Sequence, residues 1–143
     1  MTKHLLVSIT IILLLFSQFA LANKNSIEVI VVKNTSNSIK SITKNELRNV
    51  FLGRDTLMFE PVIPPVNTLT RIVFNTKIIG LNESRIQSFY AQMRFSGRAR
   101  PPKELASISA LLHHIATNPN AITYVPQGTK LPSNVEIVYT IAL

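Results

Sequence analysis

The sequence predicts an α/β domain in which a mixed β-sheet is flanked by helices. Two segments carry this prediction: a capped amphipathic helix at residues 44–52, and a helix end, turn and short apolar strand at residues 118–126. Along the rest of the chain, apolar segments of strand length alternate with longer segments of helical periodicity. Strands that alternate with helices favour a layered fold with some parallel strand pairs.

The first half of the chain alternates strand, helix and strand. Residues 27–32 are a nearly continuous apolar run, which is typical of a strand covered on both faces. Thr43 and Glu46 match a capping box at the start of the helix at residues 44–52. Residues 61–66 form a short strand among prolines, and we expect it near a sheet edge or irregular, because proline donates no ladder hydrogen bond.

Helices dominate the second half of the chain, and two strands complete it. Gly80 and the N-cap residue Asn82 separate the first two helices, and Pro119 prevents the third from continuing because it lacks an N–H group. Predicted helices cover residues 69–79, 83–95 and 105–117, and predicted strands cover residues 122–125 and 135–140.

One face of the capped helix is predicted to form part of the core. Leu47, Val50 and Phe51 recur at helical spacing on a single face. We expect this face to pack against the strands around Ile30 and Ile122.

The first 22 residues predict export. They combine a basic start at Lys3, an apolar run over residues 5–16 and the sequence ALA at residues 20–22, which fits a signal-peptidase site. We therefore expect a signal peptide over residues 1–22, a single mature domain over residues 23–143, and a periplasmic location. An uncleaved membrane anchor is the alternative, because the apolar stretch approaches the length of a membrane span.

N-terminal sequencing of the protein from the periplasmic fraction tests the export prediction. We expect the chain to begin at Asn23, because signal peptidase cleaves after small residues. An intact Met1 end in the membrane fraction would identify the segment as an anchor instead.

Composition limits the classes of partner. The chain has no cysteine, so its stability must come from one apolar core, and about 120 mature residues suffice for one core and not two. Its formal net charge of +8 favours anionic partners. Nucleic acid is a poor candidate, because the predicted export signal directs the chain out of the cytoplasm and no aromatic array interleaves the arginines.

No enzymatic or metal chemistry is indicated. The sequence carries no nucleophile elbow, Walker loop or dinucleotide fingerprint. His113 and His114 are adjacent, so on a helix they point about 100° apart and cannot share a metal. We expect no catalytic residues, no metal site and no cofactor.

Four features follow one another along the chain: a strand that runs into Lys33-Asn34, the helix LRNVFLG, an F-x-G-x-x-x-P-P loop at residues 95–102, and the NPxAIxYV turn and strand. In this order they resemble the phosphate-binding proteins of bacterial ABC transporters, specifically their small single-domain relatives. The resemblance covers most of the chain after residue 26. It implies a single lobe of a type II periplasmic-binding-protein-like fold, without enzymatic activity, that binds phosphate or another small oxyanion for transport or sensing.

The resemblance places ligand contacts in the turn before the second predicted helix. Related proteins carry G-S-G-T-R there, whereas this chain reads VNTLTR. Thr68, Thr70 and Arg71 are candidate ligands at a helix start. Asn67 and Leu69 carry side chains where glycine would let the backbone approach an ion closely. In the alternative, Thr68 only caps the helix and Arg71 lies on a solvated face.

Two further groups are candidate oxyanion contacts. Arg98 and Arg100 lie in a basic loop that could present guanidinium groups to a phosphate. Ser36 and Ser38 follow the first strand, at an end where α/β folds tend to bind ligands. Alternatively, Arg98 and Arg100 belong to a solvated loop without a ligand, and Ser36 and Ser38 to an ordinary turn.

Two functions therefore remain open. The first is weak binding of phosphate or another oxyanion, as an open half-site or one completed by a partner. The second is a periplasmic interaction module that has kept the fold, lost the ligand loop, and uses its basic face on a protein or membrane partner. The lost glycines favour the second, and the order of the motifs favours the first.

Overall fold

The computed structural model describes residues 27–54, 57–97 and 99–142. The predicted signal peptide and Arg98 lie outside them. The elements are β1 Val29–Asn34, α1 Lys44–Phe51, β2 Glu60–Ile63, α2 Leu69–Phe74 with a π-helical continuation Asn75–Ile79, α3 Glu83–Ser96, β3 Lys103–Glu104, α4 Ile108–Thr117, β4 Ala121–Pro126 and β5 Val135–Ile141. No helix among the described residues has the length and apolar character needed to cross a membrane.

The strands form one five-stranded sheet in the order β3-β2-β4-β1-β5. β2 is parallel to β3 and β4, while β1 is antiparallel to β4 and β5. All six residues of β1 are buried, because strands flank it on both sides and helices cover it. The mixed sheet with flanking helices confirms the predicted fold class, and the β2 pairs confirm some parallel pairing.

The core lies on both faces of the sheet. Leu47, Val50 and Phe51 of α1 are buried in one cluster with Ile122, as predicted. Ile30 does not belong to that cluster but packs with α4 on the opposite face. Successive strand residues point to opposite faces, so the neighbours of Ile30, and not Ile30 itself, face α1.

The end of β2 and the start of α4 differ from the predictions. β2 ends at Ile63, because Pro64 and Pro65 follow it, and it lies second from the sheet edge beside the unpredicted β3. α4 begins at Ile108 and not at residue 105, because the Ser107 side chain accepts a hydrogen bond from the Ala110 amide and caps the helix.

The second predicted helix is not uniform. After Phe74 the helix widens into a π segment, in which the Gly80 amide donates to the Asn75 carbonyl at 2.7 Å. Gly80 has φ +74° and ends the segment, as the sequence predicted. The wider turn lies where the Asn75 side chain donates to Glu83 at 2.8 Å, at the start of α3.

Candidate functional site

A cavity of about 210 Å³ lies beside the first turns of α2 and α4. The side chains around it come from the loop after β2, both helix starts and β4. They are Pro64, Pro65, Thr68, Thr70, Ala106, Ser107, Ile108, Tyr124 and Pro126. The structure therefore brings two of the predicted site residues, Thr68 and Thr70, to one cavity.

The start of α2 differs from the other helix starts. Thr43, Asn82 and Ser107 cap α1, α3 and α4 with their side chains. The Thr68 hydroxyl instead donates to the Pro65 carbonyl at 2.9 Å and makes no cap hydrogen bond. The first backbone bond of α2 comes from Ile72, so the amides of residues 69–71 have no partner among the described residues.

Two buried residues that carry hydroxyl groups, Thr70 and Tyr124, also line this cavity. Thr70 is 8% exposed and Tyr124 is 1% exposed, and neither hydroxyl makes a hydrogen bond within the described part of the chain. Burial raises the pKa of the Tyr124 phenol well above its ordinary value, so the group stays neutral and can donate. Neither hydroxyl oxygen is itself enclosed, since His114 Nε2 is the one buried side-chain polar atom without a partner in the described part of the chain, so both hydroxyls are open to a water or ligand in the cavity.

The Tyr124 ring is held in place by its neighbours. It stacks on Phe74 with ring centroids 3.8 Å apart, and Phe51 meets it edge-on at 5.5 Å. Tyr124 is therefore an aromatic residue of the core. Its position on the cavity was not predicted, because the sequence gives no signal for which aromatic lies beside a helix start.

Arg71 is committed to contacts inside the protein. Its guanidinium is buried, and Nε and Nη2 donate to the Glu83 carboxylate at 3.0 and 2.6 Å. Nη1 donates to Glu104 and to the Pro64 carbonyl, both at 2.7 Å. Arg71 does not line the cavity, and the alternative prediction of a solvated Arg71 is wrong because these partners bury it.

Glu83 and Arg71 both stay charged in the folded protein. Burial opposes the charge of Glu83, but hydrogen bonds from Gln87, Arg71 and Asn75 outweigh it and lower the pKa of the carboxyl group. Burial likewise opposes the charge of Arg71, but its hydrogen bonds to Glu83 and Glu104 raise its pKa. Two carboxylates facing one guanidinium leave a local excess of negative charge, which does not favour an anion.

The other predicted site residues lie elsewhere. Ser36 and Ser38 are exposed and do not line the cavity; the Ser36 amide donates to the Asn34 side chain at 2.9 Å in a local turn. Arg100 is exposed and lines a separate hollow. Arg98 lies outside the described residues, so its contact with an oxyanion stays a prediction.

The histidines form no metal cluster in the part of the chain that the structure describes. No group of three potential metal-ligating side chains occurs there. His114 Nδ1 lies 3.4 Å from the Asn118 side chain, at the end of α4.

Solved structures that resemble this chain include proteins of phosphate transport. An ABC-type phosphate transport receptor from Vibrio cholerae matches 78% of this chain at 16% identity, with a TM-score of 0.58. A phosphate ABC transporter substrate-binding protein from Clostridium perfringens, solved with bound phosphate, matches 78% at 13% identity and a TM-score of 0.60. PstS from Borrelia burgdorferi matches 71% at 11% identity and a TM-score of 0.54.

The likeness is one of fold. The matches cover 46%, 45% and 42% of the three solved chains, so this chain spans less than half the length of each. No family model matches the sequence, and no curated protein has a sequence that matches it. The resemblance predicted from four short motifs is thus confirmed for the fold of phosphate ABC transporter substrate-binding proteins.

Proposed function

We propose that this chain is a non-enzymatic binding domain that takes phosphate or another small oxyanion weakly in the cavity beside α2 and α4. The observation that carries the proposal is that Thr70 and Tyr124, two buried residues, place hydroxyls without a hydrogen-bond partner among the described residues on a cavity beside the uncapped start of α2. Hydroxyl and amide groups are the donors that an oxyanion requires, and a helix start attracts negative charge. The fold shared with phosphate-transport proteins supports the same ligand class.

The proposed setting is outside the cytoplasm, in the service of a transporter or sensor. The leader-like sequence of residues 1–22 supports export, and the fold supports a partnership with a membrane protein. The chain spans less than half of each solved relative, so the described residues would supply only part of the ligand's enclosure.

Low affinity follows from the charges around the cavity. The one arginine of the matching motif is held by Glu83 and Glu104, so the ligand meets only neutral donors. Neutral hydrogen bonds contribute about 0.5 to 1.5 kcal/mol each after competition with water. A few of them support a dissociation constant for phosphate of about 1 mM or weaker.

Replacing Thr70 with valine should weaken phosphate binding about two- to tenfold, since it removes one hydroxyl and keeps the side-chain shape. Thr76→Val is the matched control, because Thr76 is exposed outside the cavity and its hydroxyl donates to the Ile72 carbonyl. Phosphate titration at low salt, followed by NMR shifts or calorimetry, measures both variants. Equal affinity in the two variants, or no phosphate effect at millimolar concentration, would contradict the proposal.

A second candidate function is a protein-interaction module. The observation in its favour is a set of exposed apolar side chains in the loop before α2 and on α2 and α4: Val66, Leu69, Ile72 and Ile108, each 41–51% exposed. Exposed apolar groups that cluster on one face mark interaction sites. If phosphate has no effect on the protein, a partner that covers this face becomes the better account.

A further inference from the structure

The cavity beside α2 and α4 presents mixed chemistry to a ligand. Four of its nine lining side chains carry hydroxyl groups, and the other five are purely hydrocarbon. None of the nine carries a charge. The hydrocarbon set consists of three prolines, an alanine and an isoleucine: Pro64, Pro65, Ala106, Ile108 and Pro126. Any ligand held here therefore meets hydroxyl groups and apolar surface together.

The three prolines of the cavity offer a ligand only their rings. Proline has no N–H group to donate, and each of these carbonyl oxygens already accepts a hydrogen bond inside the protein. The Pro64 carbonyl accepts from the Arg71 guanidinium at 2.7 Å, and the Pro65 carbonyl accepts from the Thr68 hydroxyl at 2.9 Å. The Pro126 carbonyl accepts from a hydroxyl of the turn that follows it, at 2.6 Å. The prolines therefore form an apolar wall.

Local chain geometry places apolar groups next to the hydroxyl groups. Pro126 ends β4 two residues after Tyr124, so both side chains point to the same face of the strand. Ile108 is the first residue of α4, directly after Ser107, and is 41% exposed. Tyr124 and Ser107 therefore each have an apolar neighbour on the wall of the cavity.

Three of the four hydroxyl groups have a hydrogen free for a ligand. The Thr68 hydroxyl is already a donor within the protein. The Ser107 hydroxyl accepts from the Ala110 amide at 3.1 Å but donates to no group among the described residues. The hydroxyls of Thr70 and Tyr124 make no hydrogen bond there either. Three free donors match a group with three terminal oxygens, such as a phosphonate.

The cavity is larger than a phosphate ion. Its volume of about 210 Å³ equals that of about seven water molecules in the liquid. A phosphate ion on the free hydroxyls would leave water against the prolines and Ile108. An apolar group that displaces such poorly held water gains affinity. The free space therefore favours a ligand that carries a short hydrocarbon group.

We propose that the preferred ligand of the cavity is a phosphonate or phosphate ester with a short alkyl chain. Its oxygens accept hydrogen bonds from Thr70, Ser107 and Tyr124, and its alkyl chain packs against the prolines and Ile108. This preference rests on the function proposed above, in which the cavity takes an oxyanion, and specifies the class of that oxyanion. Inorganic phosphate meets the same donors but leaves the apolar wall in contact with water, so it binds more weakly.

Titration of the purified protein with a ligand series measures this preference. The series is inorganic phosphate, methylphosphonate, ethylphosphonate and propylphosphonate, followed by NMR shifts or calorimetry at low salt. We expect each added methylene to tighten binding about fourfold, so propylphosphonate should bind about 15-fold more tightly than methylphosphonate. Propanol has the chain without the oxyanion, and it should show no binding at millimolar concentration.

Shortening Ile108 tests the apolar wall. Ile108→Ala should reduce the ratio of propylphosphonate affinity to phosphate affinity about three- to tenfold, because it removes hydrocarbon from the cavity wall. Ile137→Ala is the matched control, since it removes the same atoms from a 51% exposed residue of β5 that does not line the cavity. The control should leave the ratio unchanged. Circular dichroism melting verifies that both substitutions leave the fold intact.

The possible outcomes separate the alkyl preference from the proposed function. Phosphate binding without tighter binding of the longer phosphonates would overturn the preference and leave the oxyanion function standing. A gain with chain length that Ile108→Ala reduces no more than Ile137→Ala would place the alkyl chain elsewhere and overturn the assignment of the wall. Binding of none of the ligands at millimolar concentration, or propanol binding as tightly as propylphosphonate, would overturn both the preference and the function.

Discussion

Replacing Arg71 with methionine should lower the free energy of unfolding by about 3 kcal/mol. The guanidinium is 1% exposed and joins three parts of the fold: α2, the start of α3 through Glu83, and β3 through Glu104. Its loss leaves two carboxylates close together and the Pro64 carbonyl without its donor. The cost stays at the low end for a broken buried pair, because the Glu83 and Glu104 side chains are 30% and 44% exposed and can rehydrate.

Urea unfolding of a double-mutant cycle measures this coupling. Glu83→Gln is the second single variant, and the Arg71→Met, Glu83→Gln double variant should cost less than the two single effects added together. An Arg71→Met variant as stable as the parent would show that the guanidinium does not hold these elements. The cycle also bears on function, because loss of phosphate binding in an Arg71 variant would report a weakened fold and not a lost ligand contact.

The stability that the Arg71–Glu83 pair contributes should fall as the pH is lowered. The pKa of Glu83 is lowered in the folded protein, so its contribution to stability is present above the ordinary value of 4.5 and is lost as the pH falls through the folded value. The stability difference between parent and Arg71→Met should therefore narrow in acid. A difference that stays constant from neutral pH to about pH 3 would show that Glu83 does not titrate against Arg71.

Short-range signals explain why much of the fold could be predicted. The capping box of α1 spans the four residues from Thr43 to Glu46, and in the structure the Glu46 carboxylate accepts from the Thr43 amide at 2.7 Å. The buried face of α1 likewise follows from helical spacing alone. β3 and the π segment after Phe74 could not be predicted in this way, because β3 exists only through its pairing with β2 and the π segment lies in no distinctive local pattern.

The role of Arg71 could not be predicted, because it depends on contacts that the sequence does not reveal. The motif match identified Thr68 and Thr70 as candidate site residues, and both line the cavity. The partners of Arg71, in contrast, lie 12 and 33 positions away in the sequence. No local pattern joins residues at those separations. Without Glu83 and Glu104, Arg71 could be interpreted only as a ligand contact or a surface charge.

The structure describes the two positions at which the resembled motif carries glycine. Asn67 stands in place of one glycine and still adopts φ +65°, a left-handed conformation that asparagine tolerates better than most residues. Leu69 stands in place of another and is 51% exposed. At Asn67 the chain therefore adopts a conformation that glycine would also permit, and Leu69 adds an exposed apolar side chain to the first turn of α2.

The hydrophobic core gives the second large expected effect: Phe51→Ala should cost about 3 to 5 kcal/mol of unfolding free energy. Phe51 is 1% exposed and meets the rings of Phe74 and Tyr124 at centroid distances of 4.7 and 5.5 Å, so truncation leaves a cavity that rigid strands and helices cannot fill. Phe95→Ala is the matched control, since it removes the same atoms from a ring that is 93% exposed. Chemical denaturation should show the large loss for residue 51 and a change within about 0.5 kcal/mol for residue 95. Similar losses at both positions would mean that the ring contacts of Phe51 do not stabilise the fold.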